Sequence, residues 1–129
     1  MNSKRIFTLL LSLLMVIAIQ AQNSIDRMVE QYSSVGGSTF TSAVQRNPKT
    51  RQVEKVVKRL EIEGAQSHKF IEAFKREART HSNSTIKRKD SDLTIVITEE
   101  NKQSNRIYML KGDENMGRPA QITIIIRIK

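Results

Sequence analysis

The 129-residue chain contains no cysteine and no tryptophan, and it has only 2 prolines and 5 glycines. Without cysteine there are no disulfides, no thiolate zinc sites, no iron–sulfur clusters and no cysteine nucleophile. Aromatic residues make up only 5% of the chain, so side chains that could stack on sugars or nucleotide bases are scarce. We therefore expect no bound cofactor or metal.

The N-terminus has the three parts of a secretory signal peptide. A basic pair at positions 4–5 is followed by the mainly apolar stretch 6–19, and Ala21 offers a small residue for cleavage. A membrane-spanning helix would need about 20 apolar residues, so this stretch is short for an anchor. We predict a signal peptide over residues 1–21 and one domain over residues 22–129, with no transmembrane segment after cleavage. Export without cysteine favours a bacterial envelope, in the periplasm or at the cell surface.

Two segments have the periodicity of amphipathic helices. The apolar residues of the first, which Asn23 or Ser24 can cap, are Ile25, Met28, Val29 and Tyr32. The apolar residues of the second, for which Ser67 is the predicted cap, are Phe70, Ile71, Phe74 and Ala78.

Five segments are predicted to be strands. Four of them have strand-like composition or alternation, over residues 38–46, 93–98, 107–110 and 122–128. Residues 51–63 fit a helical face and a strand, and we favour the second strand of a hairpin, because 47–50 has the composition of a turn. The order α, β, β, α, β, β, β with short polar links predicts an α+β fold. We expect an antiparallel meander of about five strands with both helices packed on one face.

Alternation along the C-terminal strands predicts an apolar stripe on the side of the sheet away from the helices. Val96 and Ile125 point to that side, together with Ile107 and Met109 or with Tyr108 and Leu110, depending on register. An antiparallel sheet with one solvated face is normally polar there. The stripe therefore predicts self-association or a protein partner.

Basic charge is segregated along the chain. Residues 46–59 contain six basic residues and one acidic residue, and residues 69–89 contain seven and two, so each carries a net charge of +5, whereas residues 90–116 carry −3. An exported protein rarely meets nucleic acid, so the expected ligand is an acidic protein, a lipid phosphate or lipopolysaccharide. The predicted anion-binding residues are Lys75, Arg76, Arg79, Lys87, Arg88 and Lys89. The alternative is a solvated surface that keeps the domain soluble.

Catalytic and metal-binding motifs are missing from the sequence. His68 and His81 lie at opposite ends of the second predicted helix, so they cannot share a metal through it. The acidic pairs 99–100 and 113–114 have the character of solvated turn residues. The enzyme alternative is a small hydrolase or lyase that uses His81 or Glu99.

A family resemblance is carried by three short segments and one tyrosine: Ser24-Ile25-Asp26, Tyr32, Arg46-Asn47-Pro48-Lys49-Thr50 and Phe70-Ile71-x-x-Phe74. Through them the chain resembles a family of small exported proteins of unknown function from gut-dwelling Gram-negative bacteria. The resemblance implies export and an α+β fold, and it transfers no activity and no site residues.

The leading hypothesis is a non-enzymatic exported protein of the bacterial envelope that binds a partner. A structural or assembly protein that acts through a free sheet edge or face is a second reading. Substitution of both histidines separates these readings from the enzyme, because only the enzyme would lose its role.

Overall fold

The structure, a computed structural model, describes residues 23–129, and the predicted signal peptide lies outside the described residues. Two helices and six strands are found in the described part. Along the chain they are α1 (Ser24–Tyr32), β1 (Thr39–Arg46), β2 (Val53–Ile62), α2 (Gly64–Thr80), β3 (Ser84–Lys89), β4 (Asp92–Glu100), β5 (Ser104–Asp113) and β6 (Ala120–Ile128). The α+β class is confirmed.

Helix α1 begins as its sequence predicts, with Asn23 as the cap. The Asn23 side chain accepts hydrogen bonds from the backbone N–H groups of Ile25 and Asp26, and the Asp26 carboxylate accepts one from the Asn23 N–H at 3.0 Å. This reciprocal pair satisfies two of the N–H groups that a helix start leaves free. After the helix, Gly37 turns the chain with φ at +87°, a conformation that glycine adopts without strain.

Helix α2 begins earlier than predicted, so the assignment of Ser67 as its cap is wrong. The helix starts at Gly64, and Ser67 is buried one turn later, where its hydroxyl donates to the Gly64 carbonyl at 2.6 Å. A side chain at position 64 would collide with the backbone carbonyls of Met116 and Arg118. The turn between β5 and β6 therefore approaches the first residue of α2 so closely that this position requires glycine.

The sheet has six antiparallel strands in the order β1-β2-β6-β5-β4-β3. The ambiguous segment 51–63 forms β2, as favoured from the sequence. The sixth strand, β3, was not among the five predicted from the sequence, and it contains the basic residues 87–89 of the predicted anion-binding set. Strands β3 to β6 form the expected meander, but α2 carries the chain from β2 to the far edge, so β2 pairs with the last strand, β6.

The helices cover one face of this sheet and form a single apolar core with it. Helix α2 lies mainly over β4 and β5, and α1 packs against α2. The sheet residues that are 0–1% exposed on the covered face are Leu60, Ile62, Leu93, Ile95, Ile97, Tyr108, Leu110, Ala120, Ile122 and Ile124.

Candidate binding surfaces

The face of the sheet opposite the two helices, here termed the open face, is not covered by any element of residues 23–129. Its central feature is an apolar row that crosses four neighbouring strands in register. Ala43 lies opposite Val57, Val57 opposite Ile125, and Ile125 opposite Ile107. The register places Ile107 and Met109 on this face, because Tyr108 is buried in the core. This decides between the two pairs predicted from the sequence.

A shallow groove of about 570 Å³ adjoins the apolar row. Met109, Thr123 and Ile125 form much of its floor, and Arg59 and Lys111 stand at its sides. Glu61 also lines the groove, so the apolar side chains of the floor lie beside two basic residues and one acidic residue.

Positive charge predominates on the open face. The strands place six basic residues there: Lys55, Arg59, Lys87, Lys89, Lys111 and Arg127. The four acidic residues there are Glu61, Asp92, Glu100 and Asp113. Asp92 and Asp113 both contact Arg118 from the turn before β6. Within residues 23–129, none of the six bases is part of an ion pair.

The six predicted anion-binding residues are divided between the two faces of the sheet. Because side chains alternate along β3, Lys87 and Lys89 lie on the open face, and Arg88 lies on the helix side. Arg88 Nε is 2.9 Å from Glu114 Oε1, and Lys75 Nζ is 4.0 Å from the same oxygen. Of the predicted set on the helix side, Arg76 and Arg79 are exposed on α2.

His81, at the end of α2, is the centre of a polar cluster that the sequence did not indicate. Its Nε2 is 2.7 Å from Glu99 Oε1 on β4, and its Nδ1 is 2.8 Å from the Glu77 carbonyl oxygen. The N-terminus of α1 joins the cluster, since Ser24 donates to the Glu77 carboxylate at 2.6 Å and Asn23 donates to Glu99 at 3.4 Å. The cluster thus ties both helices to β4.

The hydrogen bond to the Glu77 carbonyl, followed by the contact with the Glu99 carboxylate, raises the pKa of His81 above 6.5. Both ring nitrogens face acceptors, so the doubly protonated ring, which donates from both, fits this site best. Such a ring has no lone pair to accept a proton. The cluster borders a groove lined by Thr80, Asn83 and Asn101.

A second buried network joins α1 to the centre of the sheet. Tyr108 is fully buried, and its hydroxyl donates to Asp26 Oδ2 at 2.8 Å. Arg106 Nη1 is 3.4 Å from the same oxygen. Burial, together with the Asp26 carboxylate, raises the pKa of Tyr108, so its hydroxyl is held as a hydrogen-bond donor. Asp26 was recognisable from the sequence only as a residue of the first turn.

The described residues have no group of three His, Asp or Glu side chains with the spacing of a metal site. His68 is exposed on the first half of α2 and lies apart from the His81 cluster. Within residues 23–129, neither helix has the length and apolar character that a bilayer crossing requires.

No protein-family model, curated protein or solved structure matches the chain. The resemblance to small exported proteins of gut bacteria stays a prediction.

Proposed function

We propose that the chain is a non-enzymatic, exported interaction protein of the bacterial envelope that binds an acidic partner protein with its open face. The apolar row from Ala43 to Ile107 is the observation that carries this proposal. In a soluble antiparallel sheet the solvated face is ordinarily polar, whereas this row continues across four strands. A contiguous exposed apolar surface with a polar rim is typical of a protein interface.

The charge of the open face supports an acidic partner rather than a second copy of the chain. The six bases around the row have no ion pair within residues 23–129, and together with Arg118 they outnumber the four acids of this face by three. Two such faces would repel each other on approach. An acidic surface would instead be attracted, and its association rate would fall as salt is added.

The test uses one substitution on each side of the sheet. Ile125→Lys puts a charge in the centre of the row, and Ile86→Lys makes the same change at a 42%-exposed position on the helix side of β3. Each purified protein is immobilised and exposed to envelope extract at low salt, and the bound proteins are identified. We expect one acidic protein to be retained by the parent and by Ile86→Lys and to be lost with Ile125→Lys.

Retention of the same proteins by both variants would contradict the proposal, as would a partner with a basic surface. Self-association of the purified chain that Ile125→Lys abolishes would assign the open face to a second copy instead. Sedimentation of the parent and the variant at low and high salt distinguishes this outcome.

The enzyme alternative depends on His81 and Glu99, which do lie in contact. A general base needs a free ring nitrogen within reach of the substrate, and both nitrogens of His81 are engaged by Glu77 and Glu99. We therefore propose a structural role for this pair. A His68→Gln/His81→Gln double variant should still bind the partner. If the double variant is folded but no longer binds the partner, the result would favour the enzyme alternative.

A further inference from the structure

The β1–β2 hairpin carries an apolar patch on the helix side of the sheet. Val44 lies opposite Val56, Val56 lies opposite Ile126, and Ile128 ends the same strand, β6. Val44 is 51% exposed and Ile128 is 47% exposed, although both occupy the face that elsewhere forms the core. The two helices thus leave this end of their own face uncovered. The four residues Val44, Val56, Ile126 and Ile128 are termed the hairpin patch.

Near the hairpin patch lie Arg46, Lys49 and Arg51 at the turn and Lys58 on the helix side of β2, and none of the four is part of an ion pair within residues 23–129. The other two bases of segment 46–59, Lys55 and Arg59, lie on the open face, and Glu54 is the one acid of this segment. The Glu54 carboxylate accepts a hydrogen bond from the Asn47 side chain of the turn at 2.8 Å. On α2 and β3, by contrast, Lys75 and Arg88 share the carboxylate of Glu114.

The tip of this hairpin has a defined shape. Asn47 Oδ1 accepts from the backbone N–H groups of Lys49 and Thr50 at 2.8 and 3.1 Å, and Arg46 donates to the Arg51 carbonyl at 3.1 Å. Every residue from 48 to 52 is exposed. Arg46, Lys49 and Arg51 are therefore held on an ordered turn at the tip of the β1–β2 hairpin.

We propose that the hairpin end docks on an anionic phospholipid surface, with the cations at the headgroup phosphates and the hairpin patch in the interfacial layer. Charge complementarity selects this occupant, because Arg46, Lys49, Arg51 and Lys58, which have no ion pair within residues 23–129, match a negatively charged bilayer surface. The exposed valine and isoleucine supply the apolar contact that such surface binding adds to electrostatic attraction. A bilayer also needs no complementary pocket on the protein. This surface is separate from the apolar row on the open face.

The test is co-sedimentation of the purified chain with vesicles of phosphatidylcholine alone and of phosphatidylcholine mixed with phosphatidylglycerol. Lys49→Glu/Arg51→Glu reverses two exposed cations of the tip. Arg76→Glu/Arg79→Glu makes the same charge change at two exposed positions of α2 and is the matched control. Val44→Ser removes part of the hairpin patch and leaves all charges in place. Circular dichroism checks that each variant is folded.

We expect the parent to bind the anionic vesicles at low salt and to bind phosphatidylcholine alone far more weakly. Each cation lost from the contact weakens binding about fivefold, so the tip variant should bind at least about 25-fold more weakly. Val44→Ser should weaken binding about threefold, and the α2 variant should stay within about threefold of the parent.

Three results would overturn the proposal. They are absence of binding to anionic vesicles at low salt, equal loss in the tip and α2 variants, and unchanged binding by the tip variant. Inorganic phosphate and polyglutamate are added as competitors at matched charge. If inorganic phosphate displaces the protein from vesicles and polyglutamate does not, the hairpin end is a phosphate site. If the protein binds polyglutamate and does not bind vesicles, the hairpin end is a protein-binding site. Either outcome would also contradict docking on a lipid surface.

Discussion

The two faces of the sheet are built from alternate residues of the same strands, yet they differ in what they can do. On β6, Ile122 and Ile124 are 1% exposed beneath the helices, while their neighbours Thr123 and Ile125 face outward and are partly exposed. The covered face is filled with aliphatic side chains and Tyr108. The open face has an apolar row across its centre, and the cations around it have no ion pair within the described part of the chain, residues 23–129. The covered face provides the buried core, and the open face is the surface that we propose for contact with a partner.

The largest expected difference between the two faces comes from the same substitution at two adjacent positions of β6. Ile124→Ala removes a buried side chain and should lower the free energy of unfolding by about 2–5 kcal/mol. Ile125→Ala removes the same atoms from the open face and should cost about 1 kcal/mol or less. Chemical denaturation of both variants measures the contrast, and equal losses would refute the assignment of the two faces.

The next effect concerns the buried bond between α1 and the sheet. Tyr108→Phe removes the hydrogen-bond donor to the carboxylate of Asp26, a residue that is only 5% exposed, and should lower the free energy of unfolding by about 1–3 kcal/mol. Tyr32→Phe is the control, because it keeps the aromatic ring that packs edge-on against Phe70. A cost for Tyr108→Phe no greater than that for Tyr32→Phe, measured by denaturation, would show that the hydrogen bond adds nothing to helix docking.

The smallest expected effect is the pH dependence of the His81 cluster. Folding raises the pKa of His81, so the protonated ring stabilises the fold fully below about pH 6.5, and this contribution is lost as the pH rises through the raised value. The melting temperature of the parent should therefore exceed that of His81→Gln by more at about pH 5.5 than at about pH 8.5.

Glu99→Gln is the companion variant for this prediction, since it keeps the shape of the side chain and removes the charge that faces the ring. It should reduce the same pH dependence. A difference between parent and His81→Gln that does not change with pH, or that grows towards high pH, would contradict the ion pair. The groups that face His81 are Glu77 on α2 and Glu99 on β4, with Arg106 on β5 opposite Glu99 in register.

The parts of the fold that the sequence predicted are those with strong local signals. The isoleucine alternation in residues 122–128 identified β6 and both of its faces, and Asn23 identified the start of α1. Strand β3 was missed because an edge strand buries little, and Ile86 is the only apolar residue among Ser84–Lys89. Edge strands often carry lysine, which hides them from a search for apolar alternation.

The candidate sites depended more on tertiary structure. The apolar row was predicted in part, because alternation gives the face of a residue but not its register against the next strand. The contact between His81 and Glu99 joins residues that are 18 positions apart, and only the placement of α2 beside β4 brings them together. The predicted anion-binding set treated residues 87–89 as one surface, but they lie on a strand whose side chains alternate, so the six residues fall on both sides of the sheet.

The central claim, that the open face is the contact surface, is tested most directly by site-specific photo-crosslinking in the cell envelope. A photoreactive phenylalanine analogue replaces Ile107, in the apolar row, or Ile86, on the helix side of the edge strand. We predict a crosslink to one acidic protein from position 107 and none to that protein from position 86. Crosslinks to the same protein from both positions, or from position 86 alone, would contradict the claim.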